Sequence, residues 1–248
     1  MKKAVIVTGT NGGIGAEIKK TFQNNGYAVI GIDKSPDVTN CDEYICFDFS
    51  CLGECGEKLR ELESRLGFII KNYQVSGLIN NSAVQNIKKV EDLELQDIEE
   101  SMRVNFYAPI MLAKFCLQPL INARGVILNI GSIHSELTKP GFSIYAASKG
   151  ALQTMTKALA VELGGRVRVN MIAPAAIATN MLKAGFYGDD VGYQRLRAIH
   201  PTGEIGDPSE LADFIYMLVA KNYAFLNGSI IKYDGGISSL LCDPKVVE

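Results

Sequence analysis

Tyr145 and Lys149 lie four residues apart, downstream of Ser132 in the stretch Gly131-Ser132-Ile133-His134. Side chains at that spacing share one helix face and one electrostatic environment. An ammonium beside a phenol favours the phenolate and draws its pKa down from about 10. A phenol tuned in this way takes a proton from an alcohol or gives one to a carbonyl at ordinary pH. A serine hydroxyl at a strand end can hold the carbonyl or alkoxide oxygen beside it. Tyr-x-x-x-Lys alone is a weak signature, and its weight here comes from the other end of the chain.

There the apolar run Ala4-Val5-Ile6-Val7 leads into Thr8-Gly9-Thr10-Asn11-Gly12-Gly13-Ile14-Gly15. A short β-branched run ending in glycines predicts a buried strand turning into a helix. Gly9 permits the tight turn, Gly13 lets backbone approach a pyrophosphate, and Gly15 allows close helix–strand packing. The diphosphate then sits on the positive end of the helix. A second apolar run ends at Asp33, whose carboxylate can accept from adenine-ribose hydroxyls and repel a 2′-phosphate. Lys34 pulls the other way. With no basic residue in the variable positions of the glycine turn, the pattern predicts NAD, with NADP less favoured.

These residues need a scaffold that brings them together. Strands are expected at 3–8, 27–32, 43–47, 75–80, 125–131, 166–172 and 229–233. Helices are expected at 13–25, 54–72, 95–122, 144–164 and 208–221, the last starting with Asp207 as N-cap and Pro208 at its first position. Alternating strands and helices predict a Rossmann-like, doubly wound parallel sheet of about seven strands with helices on both faces. Ligands of such sheets bind outside the carboxyl ends of the strands, where every motif above falls.

The chain resembles the single-domain short-chain dehydrogenase/reductases from Lys3 to about Gly236. The resemblance rests on Thr8 to Gly15, Asp48, Asn80-Asn81-Ser82-Ala83, Asn105, Ser132, Tyr145 with Lys149, Pro174 with Thr179, and Asp234-Gly235-Gly236. Two positions depart from the family pattern: Ala83 and Ala175 stand where glycine is usual, and both are small. The resemblance implies one catalytic domain over 1–248 that transfers a hydride between a nicotinamide cofactor and a secondary alcohol or ketone. It implies catalytic roles for Ser132, Tyr145 and Lys149, with Asn105 holding a water that relays protons to Lys149. Lys149 also binds the nicotinamide ribose. The glycine turn, with Asn11 and Ile14, takes the diphosphate. Asp48 and Phe49 meet the adenine, and Asn81, Ser82 and Ala83 line the adenosine side. Pro174, Ile177 and Thr179 clasp the nicotinamide carboxamide.

The substrate is read from what surrounds this machinery. The run Ser132-Ile133-His134-Ser135-Glu136-Leu137 is similar to one in gluconate 5-dehydrogenase-like members. Residues 180–205 are expected to form a lid with glycine hinges, carrying Met181 and Phe186. His134 and Glu136 facing the pocket would suit a sugar, sugar acid or other polar hydroxylated molecule. His134 and His200 read equally well as satisfied surface residues, and for His200 that is the favoured reading. A 3-oxoacyl-carrier-protein-type reductase and a non-enzymatic NAD-binding sensor are the alternatives; the intact Ser132, Tyr145 and Lys149 argue against the sensor.

Bulk properties narrow the partners. A formal charge of −2 with scattered basic pairs gives no case for nucleic acid. No apolar run approaches the ~20 residues of a membrane span. The start, Met1-Lys2-Lys3, fails as a signal peptide because its apolar run stops at Thr8; a cytoplasmic protein is expected. Cys41, Cys46, Cys51 and Cys55 lack the close pairs of structural zinc and read as free thiols, with Cys46 pointing into the sheet and no metal expected. Cys116 and Cys242 read as ordinary. Apolar and small residues on the 95–122 and 144–164 helices, with the family habit, imply a dimer or tetramer.

Overall fold

The computed structural model describes residues 1–36, 40–53 and 56–241, the side chain of Met181 excepted. Cys55 and Cys242 lie outside the described residues. Seven strands form one sheet: β1 (Lys2–Thr8), β2 (Ala28–Asp33), β3 (Glu43–Cys46), β4 (Tyr73–Asn80), β5 (Val126–Ile130), β6 (Arg168–Pro174) and β7 (Ile230–Tyr233). Their order is β3-β2-β1-β4-β5-β6-β7 and every pairing is parallel. A parallel sheet covered on both faces demands strands that are apolar on both sides, and the alternation is explicit in β1. Ala4 and Ile6 enter one core, while Val5 and Val7 enter the other.

The first core is closed by α2 (Gly56–Ile70), α4 (Ala108–Phe115), α5 (Leu117–Ala123) and α6 (Ser143–Leu163), through residues such as Leu66, Leu112, Leu120 and Leu163. The second is closed by α1 (Gly13–Asn24) and α9 (Pro208–Ala220), through Ile18, Phe22, Leu211 and Ile215. Asp207 caps α9 as expected, accepting from the Ser209 amide at 2.6 Å and the Glu210 amide at 3.4 Å. The remaining helices are α3 (Leu95–Met102) and, within the lid segment, α7 (Asn180–Gly185) and α8 (Asp190–Ala198).

Each expected strand is present to within two residues at either end. The expected single helix over 95–122 is instead interrupted twice. A π-helical segment, Arg103–Tyr107, separates α3 from α4, and α5 turns away by 60°. Both breaks precede a proline. Pro109 has no amide for the Asn105 carbonyl, and Pro119 has none for Phe115, so the i→i−4 ladder fails at each place. Cys46 is also corrected: it is exposed at the end of the edge strand rather than turned into the sheet. Among the described residues no single helix is long and apolar enough to cross a membrane.

Candidate active site

Between β1 and β4 the strand order reverses direction, and the carboxyl ends there open a crevice. A cavity of about 1060 Å³ fills it, running from Asp33 and Asp48 at one end to Tyr145 and His134 at the other. The glycine turn forms its floor. Gly9 has φ +71°, the left-handed region that favours glycine. Gly15 lies beneath the cavity rather than on its wall: a Cβ there would come within 1.9 Å of the Gly9 carbonyl oxygen. Asn81 staples the turn, its side-chain amide donating to the Thr8 and Gly9 carbonyls at 3.0 and 3.2 Å. Gly9, Asn11, Gly13 and Ile14 all border the cavity. No side chain caps the start of α1, and its first turn carries no acid. Its orphan amides therefore remain available to an anion.

The adenosine-side candidates follow. Asp33 ends β2, lines the cavity with Lys34, and accepts from the Asn11 amide at 3.0 Å and the Ser35 amide at 3.1 Å. Asp48 and Phe49 lie beside them, Asp48 capping the short turn that follows β3. Asn81, Ser82 and Ala83 line the cavity after β4. Across the crevice, Pro174, Ile177 and Thr179 line the wall after β6, and the Thr179 hydroxyl caps α7. These features fit a dinucleotide: an uncapped helix start for the diphosphate and an acid at the end of β2.

At the other end, Ser132 follows β5 and its hydroxyl accepts from the His134 amide at 3.2 Å. Ser132 and Tyr145 line the same end of the cavity. Lys149 is buried one turn further along α6 and donates from Nζ to the Ile130 carbonyl at 2.9 Å. The expected effect of Lys149 on Tyr145 is not what the geometry gives. Nζ lies 5.7 Å from the ring centroid. Burial pushes the Tyr145 phenol up, opposed only by the Ser132 hydroxyl. Burial also pushes Lys149 down to about 8. A phenol raised above its usual range keeps its proton at neutral pH.

Lys149 also carries a stability consequence. A fall from the usual 10.5 to about 8 penalises the charged form by on the order of 3 kcal/mol. The folded state then binds fewer protons than the unfolded one between about 8 and 10.5, so stability rises with pH across that window. Lys149→Met is expected to be more stable than wild type at pH 7, by ~1–3 kcal/mol. The gap should shrink from pH 8 upward, and denaturant melts at pH 7 and 10 would measure it. Equal gaps at both would mean that Lys149 is not penalised.

Asn105 sits in the π-helical segment and is buried. Its Nδ2 donates to the Val84 carbonyl and the Ser148 hydroxyl, both at 2.9 Å, and its Oδ1 accepts from the Val84 amide at 2.9 Å. The side chain is thus committed to structure.

His134 borders the cavity, half-buried, with Nδ1 3.1 Å from the Thr138 hydroxyl. Its ring stacks on Phe142 at 4.6 Å, and burial and the Lys139 charge hold it below the usual histidine range. Glu136 is a correction. It does not line this cavity but pairs with Lys232 at 3.0 Å and accepts from Gln153 at 3.2 Å, on the far side of the Ile133 turn. At three residues per turn, side chains two apart point about 120° apart, and the expectation placed both His134 and Glu136 inward. From the lid, Phe186 reaches the cavity. His200 is the other correction: it is 3 % exposed, not a surface residue. Phe142 and Lys139 went unread in the sequence, although Phe142, three residues before Tyr145, lies on the same helical turn.

A family model described as Enoyl-(Acyl carrier protein) reductase matches residues 9–238. The chain belongs to the short-chain dehydrogenase/reductase family. L-xylulose reductase from Bos taurus is 29 % identical over 94 % of this chain and 96 % of its own. Among solved members, aldohexose dehydrogenase from Thermoplasma acidophilum superposes with a TM-score of 0.88 at 27 % identity, covering 100 % of this chain and 97 % of its own. 4-Hydroxyisoleucine dehydrogenase, complexed with NADH, gives a TM-score of 0.86 at 25 % identity, over 97 % and 100 % of the two chains. Another solved member holds NADP. The chain is therefore an oxidoreductase of this family, with sugar-active relatives and neighbours that bind either nicotinamide dinucleotide.

Proposed function

We propose that the protein transfers a hydride between NAD and a secondary carbinol of a sugar, sugar acid or related polyol, as a single cytoplasmic catalytic domain whose residues 180–205 form the substrate lid. The observation that carries this reading is that Ser132, Tyr145 and Lys149 line the same cavity that is floored by the uncapped start of α1. Polar groups on the same wall as Tyr145 (His134, Thr138 and Lys139) line the substrate end, and the sugar-active relatives favour the same class. A dimer or tetramer built through α4 and α6, where Ile110 and Val161 are exposed, belongs to the proposal.

The cofactor, when bound, takes up or supplies the hydride. Gly9 to Gly13 with the first amides of α1 would hold its diphosphate, and Asp33 its adenine ribose. Asp48 and Phe49 would flank the adenine, with Asn81, Ser82 and Ala83 on the adenosine side. Pro174, Ile177 and Thr179 would face the carboxamide. Ser132 orients the substrate oxygen, and Tyr145 exchanges the proton with it. Lys149, charged below about 8, would hold the nicotinamide ribose. Because the Asn105 side chain is committed elsewhere, its main-chain carbonyl, left without an amide by Pro109, would hold the relay water.

A panel of aldohexoses, aldonates, pentuloses, acyl thioesters and hydrophobic ketones, run with NAD and NADP in parallel, tests the reading. Turnover of a hydroxylated substrate with NAD is the expected result. Turnover of acyl thioesters or hydrophobic ketones with every sugar derivative ignored would replace it with the acyl-reductase reading. Cofactor binding without any turnover would leave a sensor. Within the same panel, Asp33→Ala is expected to move the ratio of kcat/KM values towards NADP, since a carboxylate that repelled the 2′-phosphate is gone. An unchanged ratio would transfer that role to Lys34.

A further inference from the structure

His200 has a hydrogen-bonding capacity that the protein leaves unused. It follows α8, with its backbone amide donating to the Arg197 carbonyl at 3.2 Å. Its Nδ1 lies 2.7 Å from the Leu196 carbonyl. A carbonyl only accepts, so Nδ1 carries the proton, and in the neutral ring Nε2 is an acceptor. That Nε2 is buried and has no partner. His200 borders the same cavity as Tyr145 and His134. Behind it stands the backbone of Gly235, close enough that a Cβ there would lie 3.5 Å from both Cβ and Cδ2 of His200. One edge is tied to α8 and one side is walled by main chain, so the ring is held in place before any ligand arrives.

We propose that His200 Nε2 accepts a hydrogen bond from a substrate hydroxyl remote from the reacting carbon, making His200 a specificity-determining residue. This rests on the polyol reading above and names the group that enforces it. A buried acceptor with no partner is costly, and a hydroxyl entering from the cavity fills it. An analogue without that hydroxyl leaves it empty and is rejected. The residue also ties selection to the lid, because its other nitrogen holds the last turn of α8.

Two substitutions separate the edges of the ring. In His200→Asn the side-chain amide stands in for Nδ1 and keeps the Leu196 contact, but nothing replaces Nε2. In His200→Gln the terminal amide reaches the Nε2 position. His200→Asn is expected to lose about tenfold or more in kcat/KM on the best aldose or aldonate of the panel. Its loss on cyclohexanone should be far smaller, and His200→Gln should recover part of the polyol activity. The chain has two histidines, so ¹⁵N-histidine labelling gives a direct second readout. The His200 Nε2 resonance should move when the polyol is added to the cofactor-loaded enzyme. Equal losses on both substrates with an unmoved Nε2 resonance would overturn the role of His200 and leave the polyol reading standing. A wild-type enzyme that turns over no hydroxylated substrate would remove the polyol reading, and this proposal with it.

Discussion

Tyr145→Phe is expected to lower turnover by ~10²–10⁴-fold, the usual contribution of a positioned acid–base group, while cofactor affinity stays near wild type. The substitution removes one hydroxyl and leaves the ring, its edge contacts with His134 and Phe142 at 5.7 and 6.2 Å, and the cation beside it. The glycine turn and the α1 amides are untouched. The pH profile adds a sign. With the phenol pushed up by burial, Tyr145 holds its proton at neutral pH, where it can give it to a carbonyl. Reduction should therefore persist through neutrality and fall at alkaline pH. Oxidation, which needs the phenolate, should rise over the same alkaline range. Stopped-flow rates in both directions, with cofactor affinity by fluorescence, would measure this. A variant retaining more than about a hundredth of the rate would remove Tyr145 from the acid–base role.

Gly15→Ala should do comparable damage by another route. The new Cβ would lie 1.9 Å from the Gly9 carbonyl oxygen and 2.8 Å from its carbonyl carbon. Both are main-chain atoms in a turn already stapled by Asn81, so neither can swing aside as a flexible side chain would. Either α1 or the turn must shift, at ~1–3 kcal/mol of stability. Because both form the cavity floor, cofactor affinity should fall about tenfold for each ~1.4 kcal/mol lost at the loop. Gly67→Ala is the control. Gly67 lies within α2 with nothing within 4 Å of its would-be Cβ, and a gain of ~0.5–1 kcal/mol is expected from helix propensity. Calorimetric titration of cofactor into both variants separates them. Unimpaired binding in Gly15→Ala would show that the turn accommodates a side chain.

The scaffold was legible because parallel strands buried on both faces must be written as unbroken apolar runs, and the helices between them as periodic ones. Residues fixed by backbone geometry were legible too: Gly9, Asp33, Ser132, Tyr145 and Lys149 all fall on or beneath one cavity. What escaped depends on direction rather than spacing. Glu136 lies two residues from His134, yet the short turn after Ser132 sends it to Lys232. The apolar pattern of the 95–122 segment reads as one helix, whereas Pro109 and Pro119 each remove an amide from its ladder. The Tyr–Lys pair was read as a Coulombic couple, but desolvation, invisible in a linear sequence, governs both groups. His200 became informative only once its unused nitrogen could be seen.

The reversal of strand order at the centre of the sheet shapes how the chain is built as well as where it binds. β1 receives one neighbour from Ala28–Asp33, but its other neighbour arrives with β4, pairing Ala4 with Val75 and Val7 with Ile79. Until that later segment leaves the ribosome, β1, whose Ala4 to Val7 are fully buried in the fold, has one side unpaired. The nascent chain must carry an exposed sheet edge from the completion of β1 at Thr8 until β4 ends at Asn80. Long-range parallel pairing is slow and leaves such edges open to association. Low temperature and dilute refolding should therefore recover more active enzyme than rapid concentration, a practical consequence of the same crossover that opens the crevice.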